Sequence, residues 1–147
     1  MRLQEYIEEA MQDILQARTY ISTNSIVVAR RTERELTKGQ QFVEVTADGA
    51  DRQSNNHDKY MIELAVQAVT KVQEDINGVD LDALWSDVST EMTQTLTTTT
   101  LQAAINAINA SSNITIDGID NLGEDVQTLE QYEYREQRVQ LAVTYSP

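Results

Sequence analysis

The residues with which a chain makes or breaks bonds are sparse here. The 147 residues contain one histidine, no cysteine and five scattered glycines. His57 stands in "NNHDKY" with no nucleophile or second ligand at a defined spacing, so it reads as an exposed loop histidine. The acid-rich "DGIDNLGED" (117–125) invites a calcium loop, but an EF-hand needs glycine at its sixth place, and that place is Leu122. Its carboxylates read as solvated loop groups. Glu8 and Glu9 are sequence neighbours on the solvent side of a helix rather than a pair facing across a cleft. Asn109-Ala110-Ser111 and Asn113-Ile114-Thr115 match the glycosylation triplet, which has no use without a secretory signal. No glycine-rich loop can cradle phosphate. The absence of cysteine excludes disulfides, thiolate catalysis and thiolate-held zinc. The expectation is a non-enzyme with no metal and no cofactor.

One charge feature remains. Arg30, Arg31, Arg34 and Lys38 put four of the eleven cations within nine residues. They read as a solvated loop balanced by Glu33 and Glu35, or as a contact for an acidic neighbour. In a homo-oligomer that neighbour is another copy, because 24 acids against 11 bases give a net charge of −13. A surface so negative repels phosphate, which argues against sequence-reading or tight nucleic-acid binding by this chain alone, yet it suits a wall past which DNA must slide without sticking. Glu5, Glu8 and Glu9 stand where a signal peptide needs an apolar core. No run approaches the ~20 apolar residues of a membrane span. These features predict a soluble, unprocessed chain.

The elements that must position these residues follow from periodicity. Leu3, Ile7, Ala10, Met11, Ile14 and Leu15 recur at helical spacing and predict an amphipathic helix over 2–20, with Glu5, Glu8, Glu9, Gln12 and Asp13 turned away. "STNS" (22–25) breaks it. "SIVVARR" (25–31) reads as a mostly buried strand and "TERELTKGQ" as a polar loop. "QFVEVTA" (41–47) and "KYMIELAVQAV" (59–69) alternate apolar and polar residues, predicting a hairpin with an exposed tip over 48–56 that carries Asp48, Asp51 and Arg52. A second helix runs from about 81 to 97, with Asp80 as its cap and Leu81, Leu84, Trp85, Val88, Met92 and Leu96 as its core stripe. "TTTT" (97–100) interrupts it and "LQAAINAIN" (101–109) forms a short third helix. "NITIDGI" (113–119) reads as a short strand and "DNLGEDV" as a loop. In "RVQLAVTYSP" (138–147), Val139, Leu141, Val143 and Tyr145 alternate with polar residues, predicting a half-buried strand.

The order is helix, three strands in a meander, one or two helices, then strands. It predicts one α+β domain over 1–147, a two-layer sandwich with a mainly antiparallel sheet, helices on one face and a protruding hairpin. The final strand must join that sheet, because two strands alone are marginal.

This layout resembles a family. The helix "LQEYIEEAMQDIL", then "SIVVARR", the pair "QFVEVTA"/"YMIELAVQAV", the helix "DLDALWSDVSTEM" and the closing "RVQLAVTY" are together similar to the tail terminator (tail-completion) proteins of long-tailed bacteriophages. The resemblance spans nearly the whole chain, in element order and hydrophobic pattern. It implies a homohexameric ring in the virion neck, assembled in the host cytoplasm. Such a ring stops tail-tube polymerisation, joins the tube protein to the head-closure or connector protein, and lets DNA pass unbound. Tube and head contacts map to the 30–38 loop and the 48–56 tip, giving Arg30, Arg31, Arg34, Lys38, Asp48, Asp51 and Arg52 as candidate contact residues. Another neck component or a tail-tube subunit is the neighbouring reading. A small cytosolic ligand-binding α+β domain is the reading from a different class.

Overall fold

The computed structural model describes residues 2–36, 40–52, 58–71, 79–129 and 131–146. The elements run α1 (Leu3–Gln16), α2 (Thr19–Thr23), β1 (Val27–Arg30), a 3-10 turn (Arg31–Leu36), β2 (Gln41–Arg52), β3 (Lys59–Lys71), α3 (Val79–Thr90), a π-helical turn (Glu91–Thr95), α4 (Thr98–Ile108), β4 (Ile114–Leu129) and β5 (Tyr132–Tyr145). The architecture is α+β, with a five-stranded, mostly antiparallel open sheet and helices against one face. No described helix is long and apolar enough to cross a membrane.

The core follows from two periodicities meeting. Leu3, Ile7, Met11 and Leu15 of α1, Leu84 and Val88 of α3, and Leu101 and Ile105 of α4 form helical stripes. They close over Val43 and Val45 of β2, Ile62, Leu64 and Val66 of β3, and Val139, Leu141 and Val143 of β5, which share one sheet face by alternation. Burying each of these side chains contributes about 1.5–3 kcal/mol. Trp85 and Met92 lie in the same core, with Leu96 packed against it, as the second helix's stripe predicts.

The sheet order is β1-β2-β3-β5-β4, and it corrects the expected meander. β1 pairs with β2 in parallel, Val28 opposite Val43. Both strands therefore start from the same end of the sheet. β5 sits between β3 and β4 and pairs with both along its length. The strand read from "RVQLAVTYSP" is therefore interior to the sheet, held by its own domain.

Other boundaries also move. The first helix stops at Gln16, and α2 restarts it because Asp87 Oδ2 accepts from the amides of Tyr20 and Ile21 at 3.0 and 3.2 Å. The threonine run does separate two helices, but Thr97 is a cap, accepting from Thr100 N at 3.1 Å, and Thr98–Thr100 lie inside α4. β-branched threonine is a weak interior residue and a good cap. The largest correction is β4. "NITIDGI" and the expected loop "DNLGEDV" are one strand to Leu129, bent at Asp117 and Leu122, where pairing with β5 slips. Asp, Asn and Gly look like turn signals because a bulge demands the same residues.

Candidate functional site

An open sheet leaves two edges and one face to contact something else. On this sheet they are treated differently.

At the first edge, side chains of the chain itself occupy the backbone groups. Gln12 Nε2 on α1 donates to Val28 O at 2.7 Å, and Glu33 Oε1 accepts from Arg30 N at 3.1 Å. Where β1 stops, Glu8 Oε2 accepts from Ala47 N at 2.9 Å and Arg31 donates to Ala47 O at 3.1 Å. Glu8 is 5% exposed, which overturns its placement on the solvent side of the helix. Its signal was present: Glu8, Met11 and Leu15 stand at i, i+3 and i+7, on the stripe that faces the sheet. A buried amide without an acceptor is costly, so a carboxylate placed there stabilises the edge.

The cation cluster is part of this seal. Arg30 pairs with Glu33 at 3.2 Å and with Glu9 at 3.7 Å. Arg31 pairs with Asp48, bringing together two candidate contact residues. Burial tends to raise the Glu33 pKa, but the Arg30 amide and guanidinium and the Gln12 amide outweigh it and hold Glu33 below its ordinary value. Arg34 lies in the 3-10 turn, and Asp51 and Arg52 end β2 opposite Met61 and Tyr60. Lys38 and His57 lie outside the described residues, as do residues 53–56 of the expected tip; residues 48–52 belong to β2, which continues to Arg52.

The second edge, β4, is sealed by another element only where it begins. Gln102 of α4 donates to Ile114 O and accepts from Ile116 N, both at 2.8 Å. Beyond that the strand bends twice. Asp117 accepts from Thr144 Oγ1 at 2.5 Å and pairs with Lys59 at 3.3 Å. The buried Gln137 amide donates to Asn121 Oδ1 at 2.7 Å and Gly123 O at 3.0 Å, and Gly123 adopts φ +107°, which favours glycine. Leu122 is turned outward, 49% exposed, and Val126 is 58% exposed. Bulges, charges and bends keep such an edge from pairing indiscriminately.

The sheet face opposite the helices is bare and largely acidic. By register and alternation it carries Glu44, Asp48, Glu63, Asp120, Asp125 and Glu136 against Lys59, Lys71 and Arg138. At its centre Glu136 is 8% exposed, accepts from Gln67 Nε2 at 2.7 Å and is bonded to Arg138, which reaches Glu63 at 3.3 Å. Phe42 and Tyr132 meet edge-on at one end, ring centres 6.0 Å apart. No group of three or more metal-ligating side chains exists among the described residues.

A groove of about 380 Å³ lies between α2 and α3, lined by Arg18, Tyr20, Asp87 and Thr90 among others. Asp87 is committed there to two backbone amides and to Arg18 at 2.9 Å. Glu91, beside it, is pushed up by burial against the pull of Arg18. These groups hold α2 on α3.

No protein-family model and no curated protein matches the chain. Among the solved structures that match, one of uninformative name aligns over 97% of this chain and 94% of its own with 14% identity and a TM-score of 0.43.

Proposed function

We propose that this protein is a structural subunit of a phage neck: a tail terminator that forms a homohexameric ring, ends tail-tube growth and offers a joining surface to the head. The observation that carries this reading is the bare acidic sheet face, set against a helical layer that fills the other side. Turned inward around an axis, that face makes a wall with excess negative charge, past which a polyanion moves without adhering. The helices, 3-10 turn and hairpin then lie outward or toward the rims, where tube and head-closure proteins dock. The protein contributes shape and charge, and no catalytic step is assigned to it.

Light scattering on the purified chain tests the reading. Six chains of 16.6 kDa give a particle of about 100 kDa, seen as rings by electron microscopy. Added to polymerising tail tubes, the protein is expected to stop elongation. A monomer at every concentration, with tubes growing unchecked, overturns the proposal.

A further inference from the structure

Strand register matches the two sheet edges to each other. Following partners across the sheet, one row runs Val27–Phe42–Val69–Tyr134–Gln127 and another runs Arg30–Val45–Val66–Gln137–Glu124. β1 is thus level with the outer half of β4, although the two strands stand at opposite ends of the sheet. β1 is parallel to β2, and each later neighbour reverses direction, so β1 and β4 run antiparallel. A rotation carries no translation along its axis. Copies turned about an axis along the strands therefore bring level residues face to face, β4 of one beside β1 of the next.

The charges and exposed apolar groups suit that meeting. Residues 27–36 hold Arg30, Arg31 and Arg34 against Glu33 and Glu35, a net +1, within a chain of −13. Residues 113–129 hold Asp117, Asp120, Glu124 and Asp125 with no cation, a net −4. Two β4 edges would repel each other, whereas the β1 corner, where Arg30 and Arg31 balance Glu9, Glu33 and Asp48, lacks the uncompensated acids that bar a β4–β4 contact. The large hydrophobic residues exposed among the described ones, Val27, Leu122 and Val126, all lie on β1 or β4. Both edges already have backbone groups occupied at the matching level: Val28 O by Gln12, Arg30 N by Glu33, Gly123 N by Asn121 Oδ1 and Val126 N by Asp125 Oδ1. Side chains, rather than a continuous hydrogen-bonded ladder, then make the contact.

We infer that the subunit contact is head to tail, with the outer half of β4 of one copy seated against the β1 corner of a second copy. This rests on the ring reading and specifies which surfaces close it. The chain contains no cysteine, so introduced thiols report cleanly. Val27→Cys and Gln127→Cys lie in one row on the bare face, and Thr115→Cys lies on β4 at a different height. With a short bis-maleimide, a mixture of the Val27→Cys and Gln127→Cys proteins is expected to form linked dimers. Neither protein alone should, and the double variant should give a ladder closing at the hexamer. Val27→Cys mixed with Thr115→Cys should stay unlinked. A hexamer by light scattering with no 27–127 link, or with Gln127→Cys linking to itself, overturns this contact and leaves the ring standing. A 27–127 ladder that runs past six overturns the ring and leaves the contact standing. A monomer with no links removes both.

Discussion

The two edges of the sheet handle one physical problem in different ways. β1 has four residues, and α1 and the 3-10 turn bring Gln12 and Glu33 onto its outer backbone groups, while Glu8 and Arg31 take Ala47 just beyond it. β4 has sixteen residues, sealed by Gln102 only at its start and then deflected by two bulges. A short edge can be closed by side chains reaching from a helix. A long one cannot, and is bent and charged instead. The contrast is in what closes each edge: side chains from other elements at β1 and at the start of β4, and only the strand's own Asn121 and Asp125 along the outer half of β4.

That contrast can be broken in graded steps. Glu8→Leu removes the acceptor of a buried amide and is expected to cost about 1–3 kcal/mol, read as a lower urea midpoint with unchanged slope. Glu8→Gln, which keeps an acceptor oxygen, should retain most of the stability. Gln102→Met removes two bonds at the start of β4 and should cost about 1–2 kcal/mol, with faster hydrogen exchange at the Ile116 amide.

The pH dependence sharpens the comparison through two carboxyls of opposite sign. Glu33 is lowered in the folded state, so its contribution is fully present above the ordinary value of 4.5 and is lost as pH falls through its folded value. Glu91 is raised by burial, so its favourable share exists below 4.5 and is lost as pH rises through its folded value. Glu33→Gln should therefore lower the melting temperature at pH 7 and converge with the parent in acid. Glu91→Gln should raise it at pH 7 relative to the parent and converge in the same range. The smallest effect belongs to Val126→Thr. At 58% exposure it should change stability by no more than about 0.5 kcal/mol, while weakening self-association in sedimentation velocity.

The legible parts of the fold are those where period and burial agree. Val43/Val45/Ala47, Ile62/Leu64/Val66 and Val139/Leu141/Val143 alternate cleanly, and each lies on the core face. The parallel placement of β1 was not legible, because four residues carry no directional signal. The outer half of β4 was hidden because Asp, Asn and Gly serve turns and bulges alike. For the candidate surfaces, the cation cluster was visible as charge, but its partners were not. Glu9 and Asp48 lie far from Arg30 and Arg31 in sequence, so only the packing of α1 and the length of β2 bring them near. Glu8, Gln12 and Gln102 were read past because polar residues on a helix ordinarily face water.

One feature of strand order governs how the molecule is made. β3 takes β5 as its neighbour, and sixty residues lie between Lys71 and Tyr132. At about 5–20 residues per second, a ribosome needs several seconds to supply them. For that interval the flank of β3 stands bare on the nascent chain, beside whatever else is being translated nearby. The α3–α4 segment emerges first and packs on the face of β3, not on that edge, so the edge is closed only when β5 arrives.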